Sequence, residues 1–150
     1  MANATKHSEV KIRRARSSDA ARLAVLAGEL GYPTSVNEMK VRLNRVMRAA
    51  DDIVLVAEKN SDVIGWMHLS VVYQLESSLF AEIDGLIVAE GQRSAGAGAK
   101  LLEAGEKWAR QKKCVGMSVR SNVIRDRAHA FYQRQGYEHY KTSKAFRKPL

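Results

Sequence analysis

A run of small residues after Arg93 has the composition of a phosphate-binding loop. It consists of Ser94, Ala95, Gly96, Ala97, Gly98 and Ala99. A helical pattern follows, and the first turn of a helix offers anions both unpaired N–H groups and the positive end of its dipole. Small side chains let a phosphate reach those groups, and Arg93 can add a charge-assisted hydrogen bond. The alternative is a flexible turn before an ordinary helix.

Two better-known phosphate loops do not fit this run. It lacks the Gly-Lys-Ser/Thr of a Walker loop, and Leu101 stands where the dinucleotide fingerprint has its third glycine. The remaining pattern, Arg-x-x-Gly-x-Gly, indicates a phosphate-binding loop only when the elements around it fit that function.

The hydrophobic pattern predicts the elements that hold the loop. Alternation predicts strands over 10–15, 52–58, 63–73, 79–88 and 114–120, with two short strands over 137–141 and 143–146. Helical periodicity predicts four helices, which end near positions 30, 50, 113 and 135. Ser17 or Ser18, with Asp19, is the predicted cap for the first helix. Ser35 and Glu38 have capping-box spacing, and Asn60-Ser61-Asp62 is typical of a hairpin turn. The order predicts an α/β (α+β) fold with a mixed, mostly antiparallel sheet of six to seven strands and about four flanking helices.

Composition limits the class of protein. With 150 residues and 45% hydrophobic residues, we expect one domain over residues 1–150, of which 1–9 are flexible. The net charge of +9 favours an anionic partner, either nucleic acid or a small phosphorylated cofactor. Scattered basic residues and few aromatics make nucleic acid the weaker choice. A single cysteine, Cys114, excludes an internal disulfide, and we expect a cytoplasmic protein without a membrane span.

Three segments together resemble the GNAT N-acetyltransferase superfamily. The first is Glu82-Ile83-Asp84-Gly85-Leu86-Ile87-Val88, and the second is Arg93-x-x-Gly96-x-Gly98-x-x-Leu101-Leu102. The third is Ser121-Asn122, followed by Ala128-His129-Ala130-Phe131-Tyr132 and Gly136-Tyr137. They span residues 80–140, and the element order extends the resemblance over nearly the whole chain. The resemblance implies a small single-domain enzyme that transfers an acetyl group from acetyl-coenzyme A to an amine.

The resemblance also implies a binding site for acetyl-coenzyme A. Residues 93–99 would cradle its pyrophosphate, with Asn122 and Tyr132 beside the cofactor. Backbone groups of Leu86, Ile87 and Val88 would bind the pantetheine arm as an added strand would. Family members splay two strands here, which in this chain are the end of 79–88 and the start of 114–120. Ser94 and Ala95 depart from the commoner family pattern, which implies one cationic contact fewer.

Amine acetylation requires a base and benefits from an acid. An alkyl ammonium has a pKa of about 10.4, so a base must remove its proton before the nitrogen can attack a thioester. The resemblance makes Glu82 the first candidate base, directly or through a water, with Asp84 on the same strand face. Tyr132 is the candidate acid for the departing thiolate. The alternatives are that these carboxylates pair with nearby arginines and that Tyr132 is a core aromatic.

Four further residues are candidates for the acceptor site. They are Tyr32, Trp66, Tyr73 and Asp84. For Trp66, a position in the core is an equally good interpretation. His68 lies on the same strand and is expected to be a half-buried structural histidine. No histidine has a partner at a metal-ligand spacing, so we expect no metal.

The acceptor is a primary amine on a small molecule or on a protein or peptide, and the charge of +9 counts mildly against highly cationic amines. We expect a homodimer. The competing interpretation is a non-catalytic module of the same fold that binds acetyl-coenzyme A or nucleic acid.

Overall fold

A computed structural model describes residues 9–150, except for the side chain of Ser94. The flexibility predicted for residues 1–9 therefore falls almost wholly outside the described residues. Within this range the strands are β1 (Lys11–Arg14), β2 (Asp52–Lys59), β3 (Asp62–Val72), β4 (Phe80–Val88) and β5 (Gly116–Val119). The α-helices are α1 (Ala20–Glu29), α2 (Val36–Arg48), α3 (Ala97–Gln111) and α4 (Asp126–Arg134). One compact unit ends at Arg120, and a second comprises Ser121–Leu150. The single domain over 1–150 stays a prediction.

The sheet belongs to the first unit and has the order β1-β2-β3-β4-β5. All neighbours are antiparallel except β4 and β5, which are parallel. The mixed, mostly antiparallel sheet is thus confirmed, but the described residues form five strands, so the expectation of six to seven was wrong. Residues 137–150 contain neither helix nor strand. Alternation describes a side-chain pattern, whereas a strand also needs a neighbouring strand to pair with, and none of residues 9–150 pairs with that segment.

Both faces of the sheet are covered by helices. On one face α1 and α2 pack against the sheet through Leu23, Leu26, Leu43, Val56 and Ile87, all buried. On the other face lies α3, which approaches β3 most closely at Gly105. A Cβ atom there would lie 2.5 Å from Met67 Cε and 2.7 Å from Leu69 Cδ1. The glycine therefore lets α3, which follows the small-residue loop, pack tightly on the sheet.

Local signals account for several boundaries. The capping box at the start of α2 is present, and the hairpin between β2 and β3 turns at Asn60 and Ser61, which have φ of 51° and 67°. Asp19 does not cap α1, contrary to prediction. Its carboxylate instead accepts the Arg16 N–H at 2.7 Å and two guanidinium N–H groups of Arg13 at 2.8 and 3.0 Å. The hydrogen bonds from Arg13 lower the pKa of Asp19, which identifies this pair as a structural ion pair.

Candidate active site

The small-residue loop joins β4 to α3. After Val88 the chain forms a 3₁₀ turn over Glu90–Ala95, and Gly96 then takes a left-handed conformation with φ of 75°. No side chain caps the first turn of α3 at Gly96, and nothing lies within 4 Å of where its Cβ would be. Arg93 is exposed within the turn. The structure therefore brings the predicted residues 93–99 together as an exposed helix start that no side chain closes.

An opening lies beside this loop, between β4 and β5. The two strands pair from Phe80–Gly116 to Ile83–Val119. Beyond Ile83, β4 continues to Val88, and its outer edge has no strand partner among residues 9–150. The expected splay therefore corresponds to the end of β4, which extends past the end of β5 without a strand partner there. The prediction that it involves the start of the second strand was wrong, because parallel strands that pair at their starts can part only at their ends.

Glu82 lies on β4 opposite Ser70 and is half-buried. Its Oε1 is 3.2 Å from Nε of Arg120, which follows β5. The two side chains differ in exposure, 18% for Glu82 and 84% for Arg120. Glu82 therefore pairs with an arginine, which was the alternative interpretation of this carboxylate. An exposed arginine with a single contact is weakly held, so the pair leaves Glu82 within reach of a competing cation.

Asp84 is positioned by a β-bulge. His68 pairs with Gly85 and Leu69 pairs with Ile83, which leaves Asp84 as the extra residue on β4. Its Oδ2 accepts the Ser70 hydroxyl at 2.6 Å and is 3.6 Å from Nε2 of His68. Because Ser70 is the register partner of Glu82, both carboxylates lie on the same face, as predicted from their spacing.

Sequence reasoning missed Asp52 as a partner in this group. Nε2 of His68 is 2.8 Å from Oδ1 of Asp52, at the start of β2. The two residues are 16 positions apart, so no local motif contains both. Only the strand register, with Val54 opposite His68, would have indicated the contact.

The other acceptor candidates are dispersed. Trp66 packs partly buried against the α1 and α2 core, so the core interpretation applies to it. Tyr73 is exposed, and its hydroxyl donates to Asp51 Oδ2 at 2.9 Å, which raises its pKa. Tyr32 is exposed in the turn after α1. Of the four candidates, Asp84 is the one joined to the polar group on the sheet face.

The second unit contains Asn122 and Tyr132. The Asn122 Oδ1 accepts the Ile124 N–H at 3.1 Å and thereby shapes the turn before α4. Tyr132 lies on α4, with its ring edge-to-face with Phe131 and Tyr137 at centroid distances of 5.3 and 5.8 Å. Burial raises the pKa of Tyr132 to about 12. Its phenol is thus held firmly in the protonated form.

Comparison with known proteins decides the family. Residues 22–137 match the model of the acetyltransferase (GNAT) family. The chain belongs to that family. It is accordingly an N-acetyltransferase, and its acyl donor is acetyl-coenzyme A. No helix in the described residues is long and apolar enough to cross a membrane.

Individual relatives fit this assignment. An uncharacterised N-acetyltransferase of Bacillus subtilis, YhfO, is 26% identical over 86% of this chain and 90% of its own length. The aminoalkylphosphonate N-acetyltransferase of Salmonella typhimurium is 32% identical over 60% of each chain. In fold, the aminoglycoside N-acetyltransferase AAC(6′)-Iy in complex with coenzyme A matches with a TM-score of 0.87, 19% identity and coverage of 97% of this chain and 99% of that one.

The residues present fit the donor that the family uses. The exposed start of α3 has neither a side-chain cap nor a Cβ at Gly96, which suits a phosphate. The outer edge of β4 from Asp84 to Val88 offers backbone groups to an extended arm.

Proposed function

We propose that this enzyme acetylates a primary amine by direct attack, with Glu82 as base and Tyr132 as acid. The observation that carries the proposal is the uncapped, left-handed start of α3 at Gly96, next to the unpaired end of β4. The unpaired end of β4 offers a strand edge, and the start of α3, which follows it in the chain, offers a phosphate cradle.

The donor is held in this proposal chiefly by the small-residue loop and by the outer edge of β4. Backbone N–H groups of residues 94–99 and the guanidinium of Arg93 bind the pyrophosphate, and Leu86, Ile87 and Val88 bind the pantetheine arm through their backbone. Asn122 and Tyr132 are the further residues that we propose for donor binding. When bound, acetyl-coenzyme A supplies a thioester carbonyl as the electrophile.

Glu82 removes the proton of the acceptor ammonium, directly or through a water. Its half-buried carboxylate is paired only with the exposed Arg120 in the described residues. An acceptor ammonium brings a positive charge of its own, and it can therefore displace the loosely held guanidinium and take up a hydrogen bond to Oε1. Asp84 lies on the same face and orients the acceptor.

Tyr132 supplies the proton for the leaving thiolate. An acid must be protonated before the reaction, and the burial that raises the pKa of Tyr132 to about 12 meets this condition at neutral pH. Its two aromatic contacts fix the ring, so the hydroxyl keeps one direction through the reaction.

The acceptor class that we propose is a small-molecule primary amine. Two similar proteins are named for acetylating small amines, an aminoalkylphosphonate and an aminoglycoside. The net charge of +9 favours an acceptor that also bears a negative group over a polycation. We propose that Tyr32 and Tyr73 contact the acceptor at the rim of this site. Trp66 supports the site from the core beneath it.

We further propose a cytoplasmic homodimer. Three large apolar residues in the final segment are exposed, Tyr140 at 74%, Phe146 at 91% and Leu150 at 117%. A second copy covering that segment would remove this surface from water. Light scattering of the full chain after size exclusion tests it, with Phe146→Asp expected to favour the monomer and exposed Leu75→Asp expected to leave the mass unchanged.

The central experiment combines donor binding with a screen of acceptors. Acetyl-coenzyme A is expected to raise the Tm by mass action, and a panel of amines is read by thiol release. With the best amine, Glu82→Gln and Tyr132→Phe are each expected to lower kcat by about 10²-fold or more while the Tm shift persists. Exposed Glu103→Gln and Tyr140→Phe are the matched controls. An unchanged Tm at saturating acetyl-coenzyme A would contradict the donor site, and normal turnover in either variant would remove that residue from its role.

A further inference from the structure

Three side chains of metal-ligand type converge on one face of the sheet, from three neighbouring strands. Nε2 of His68 on β3 is 2.8 Å from Oδ1 of Asp52 on β2 and 3.6 Å from Oδ2 of Asp84 on β4. All three ligand atoms lie within 4.8 Å of one another. Tetrahedral ligands at about 2.0–2.2 Å from one ion are about 3.3–3.6 Å apart, so side-chain rotations of the order of an ångström would bring the three atoms around an ion.

The strand register fixes this convergence. Asp52 is the register partner of Ser70, two residues after His68 on β3. The bulge on β4 leaves Asp84 unpaired with β3 and directs its carboxylate to the same side, where the Ser70 hydroxyl donates to it at 2.6 Å. Side chains on adjacent paired strands are held more precisely than side chains on loops, which suits a coordination site.

His68 alone cannot donate to both carboxylates of the cluster. A neutral imidazole has at most one hydrogen on Nε2, whereas two carboxylate oxygens approach that nitrogen. Among residues 9–150, no lysine or arginine nitrogen lies within 4.0 Å of Asp52 or Asp84. The two carboxylates therefore have His68 and Ser70 as side-chain partners but no lysine or arginine, in a chain with 25 basic residues.

Several other carboxylates in or near the sheet lie close to a permanent cation. Arg13 binds both Asp19 and Glu58 at 2.8 Å, and Lys112 lies 3.5 Å from Asp51. Carboxylates brought close together without such a partner repel each other. Asp52 and Asp84 have no such partner among residues 9–150, so an added positive charge between them would reduce their repulsion.

We propose that Asp52, His68 and Asp84 bind one divalent metal ion of the kind that accepts mixed carboxylate and imidazole ligands, such as Zn²⁺ or Mn²⁺. Each residue supplies one ligand atom. The side chains are 24%, 24% and 33% exposed, so an ion can enter and retain positions for water or for an oxygen of a bound molecule. The proposal does not depend on acetyl transfer.

The test is calorimetric titration of the full chain, after treatment with EDTA and its removal, with ZnCl₂ and with MnCl₂. One equivalent of at least one ion is expected to bind. His68→Gln and Asp84→Asn are each expected to weaken that binding by at least about tenfold, because even residues that only orient metal ligands contribute that much. Circular dichroism and melting without metal establish that the variants fold, and Asp52→Asn serves as a replacement for a variant that does not.

Matched controls locate the site. Asp62→Asn removes an exposed carboxylate at the start of β3, and His139→Gln removes an exposed histidine of the last segment. Both are expected to bind metal as the unaltered protein does. Absence of binding for both ions, equal binding in the cluster variants, or loss of binding in His139→Gln would each overturn the proposal. It would likewise be overturned if a diamine, and neither metal, gave a signal that Asp84→Asn abolishes, since the cluster would then be an ammonium site.

Discussion

The starts of α2 and α3 differ in what accepts hydrogen bonds from the unpaired N–H groups of the first turn. At α2, the Ser35 hydroxyl accepts the Glu38 N–H at 3.1 Å, and the Glu38 carboxylate accepts the Ser35 N–H at 2.9 Å. At α3, Gly96 has no side chain and no side-chain cap is found. Every helix start has N–H groups that need acceptors. One helix provides them from its own sequence, whereas the other leaves them to water or a ligand.

Under the proposed function, the difference separates a structural helix start from one that binds a ligand. A capping box stabilises the protein but occupies the N–H groups that an anion would use. The small residues of 94–99 do not provide that stabilisation, but they leave the N–H groups accessible to an anion. Substitutions at the start of α3 should therefore change ligand binding, whereas substitutions at the start of α2 should change stability alone.

Replacing Gly96 with leucine should have the largest effect. The left-handed backbone at φ of 75° disfavours any L side chain by about 1–2 kcal/mol, and the new side chain also obstructs the phosphate approach. We expect loss of the Tm shift with acetyl-coenzyme A. Differential scanning fluorimetry with and without ligand measures both quantities.

Gly31→Leu is the matched control for that variant. Gly31 is also left-handed, with φ of 94°, and its Cβ position is equally open. It should lose a similar amount of stability and keep the full ligand shift. If both variants lose the shift, backbone strain and not the cradle explains the result.

Arg93→Ala should weaken the donor without abolishing binding. A charge-assisted hydrogen bond to phosphate contributes about 1.5–3 kcal/mol, so the Kd for acetyl-coenzyme A should rise about tenfold or more, and less at high salt. Exposed Arg48→Ala, in the last turn of α2, removes the same charge elsewhere. Equal affinities of the two variants in calorimetry would show that only net charge matters.

The two helix starts also mark how far sequence reasoning reaches. The capping box is local, with its residues three positions apart, and it was predicted in full. Gly96 and its neighbours were predicted because a phosphate loop is equally local. The bulge at Asp84 and the contact between Asp52 and His68 depend on strand register, which pairs residues 16 positions apart. The strands predicted after position 136 failed for a related reason, because pairing depends on a neighbour that alternation does not specify.

Ser35→Ala should lower stability and leave the donor site unaffected. Loss of a serine cap costs about 1 kcal/mol, so the free energy of unfolding should fall by that amount in urea denaturation. The Tm shift with acetyl-coenzyme A should remain, because α3 is unchanged. Ser78→Ala, on an exposed serine between β3 and β4, is the control and should change neither quantity. A reduced ligand shift in Ser35→Ala alone would mean that the two helix starts are coupled.

The smallest effect should come from the charge of Glu38. The hydrogen bond from the Ser35 N–H holds the pKa of Glu38 below its ordinary value of 4.5. A lowered folded pKa means stability that is present above the unfolded pKa and lost as pH falls through the folded one. Glu38→Gln keeps a side-chain acceptor for the capping box but does not titrate. The stability difference between the unaltered protein and this variant should therefore shrink as pH falls from 7 into the acid range, whereas exposed Glu103→Gln should show no such trend. If the stability difference is constant with pH, the negative charge of Glu38 does not strengthen its hydrogen bond with the Ser35 N–H. The capping box of α2 would then be explained by hydrogen-bond geometry alone.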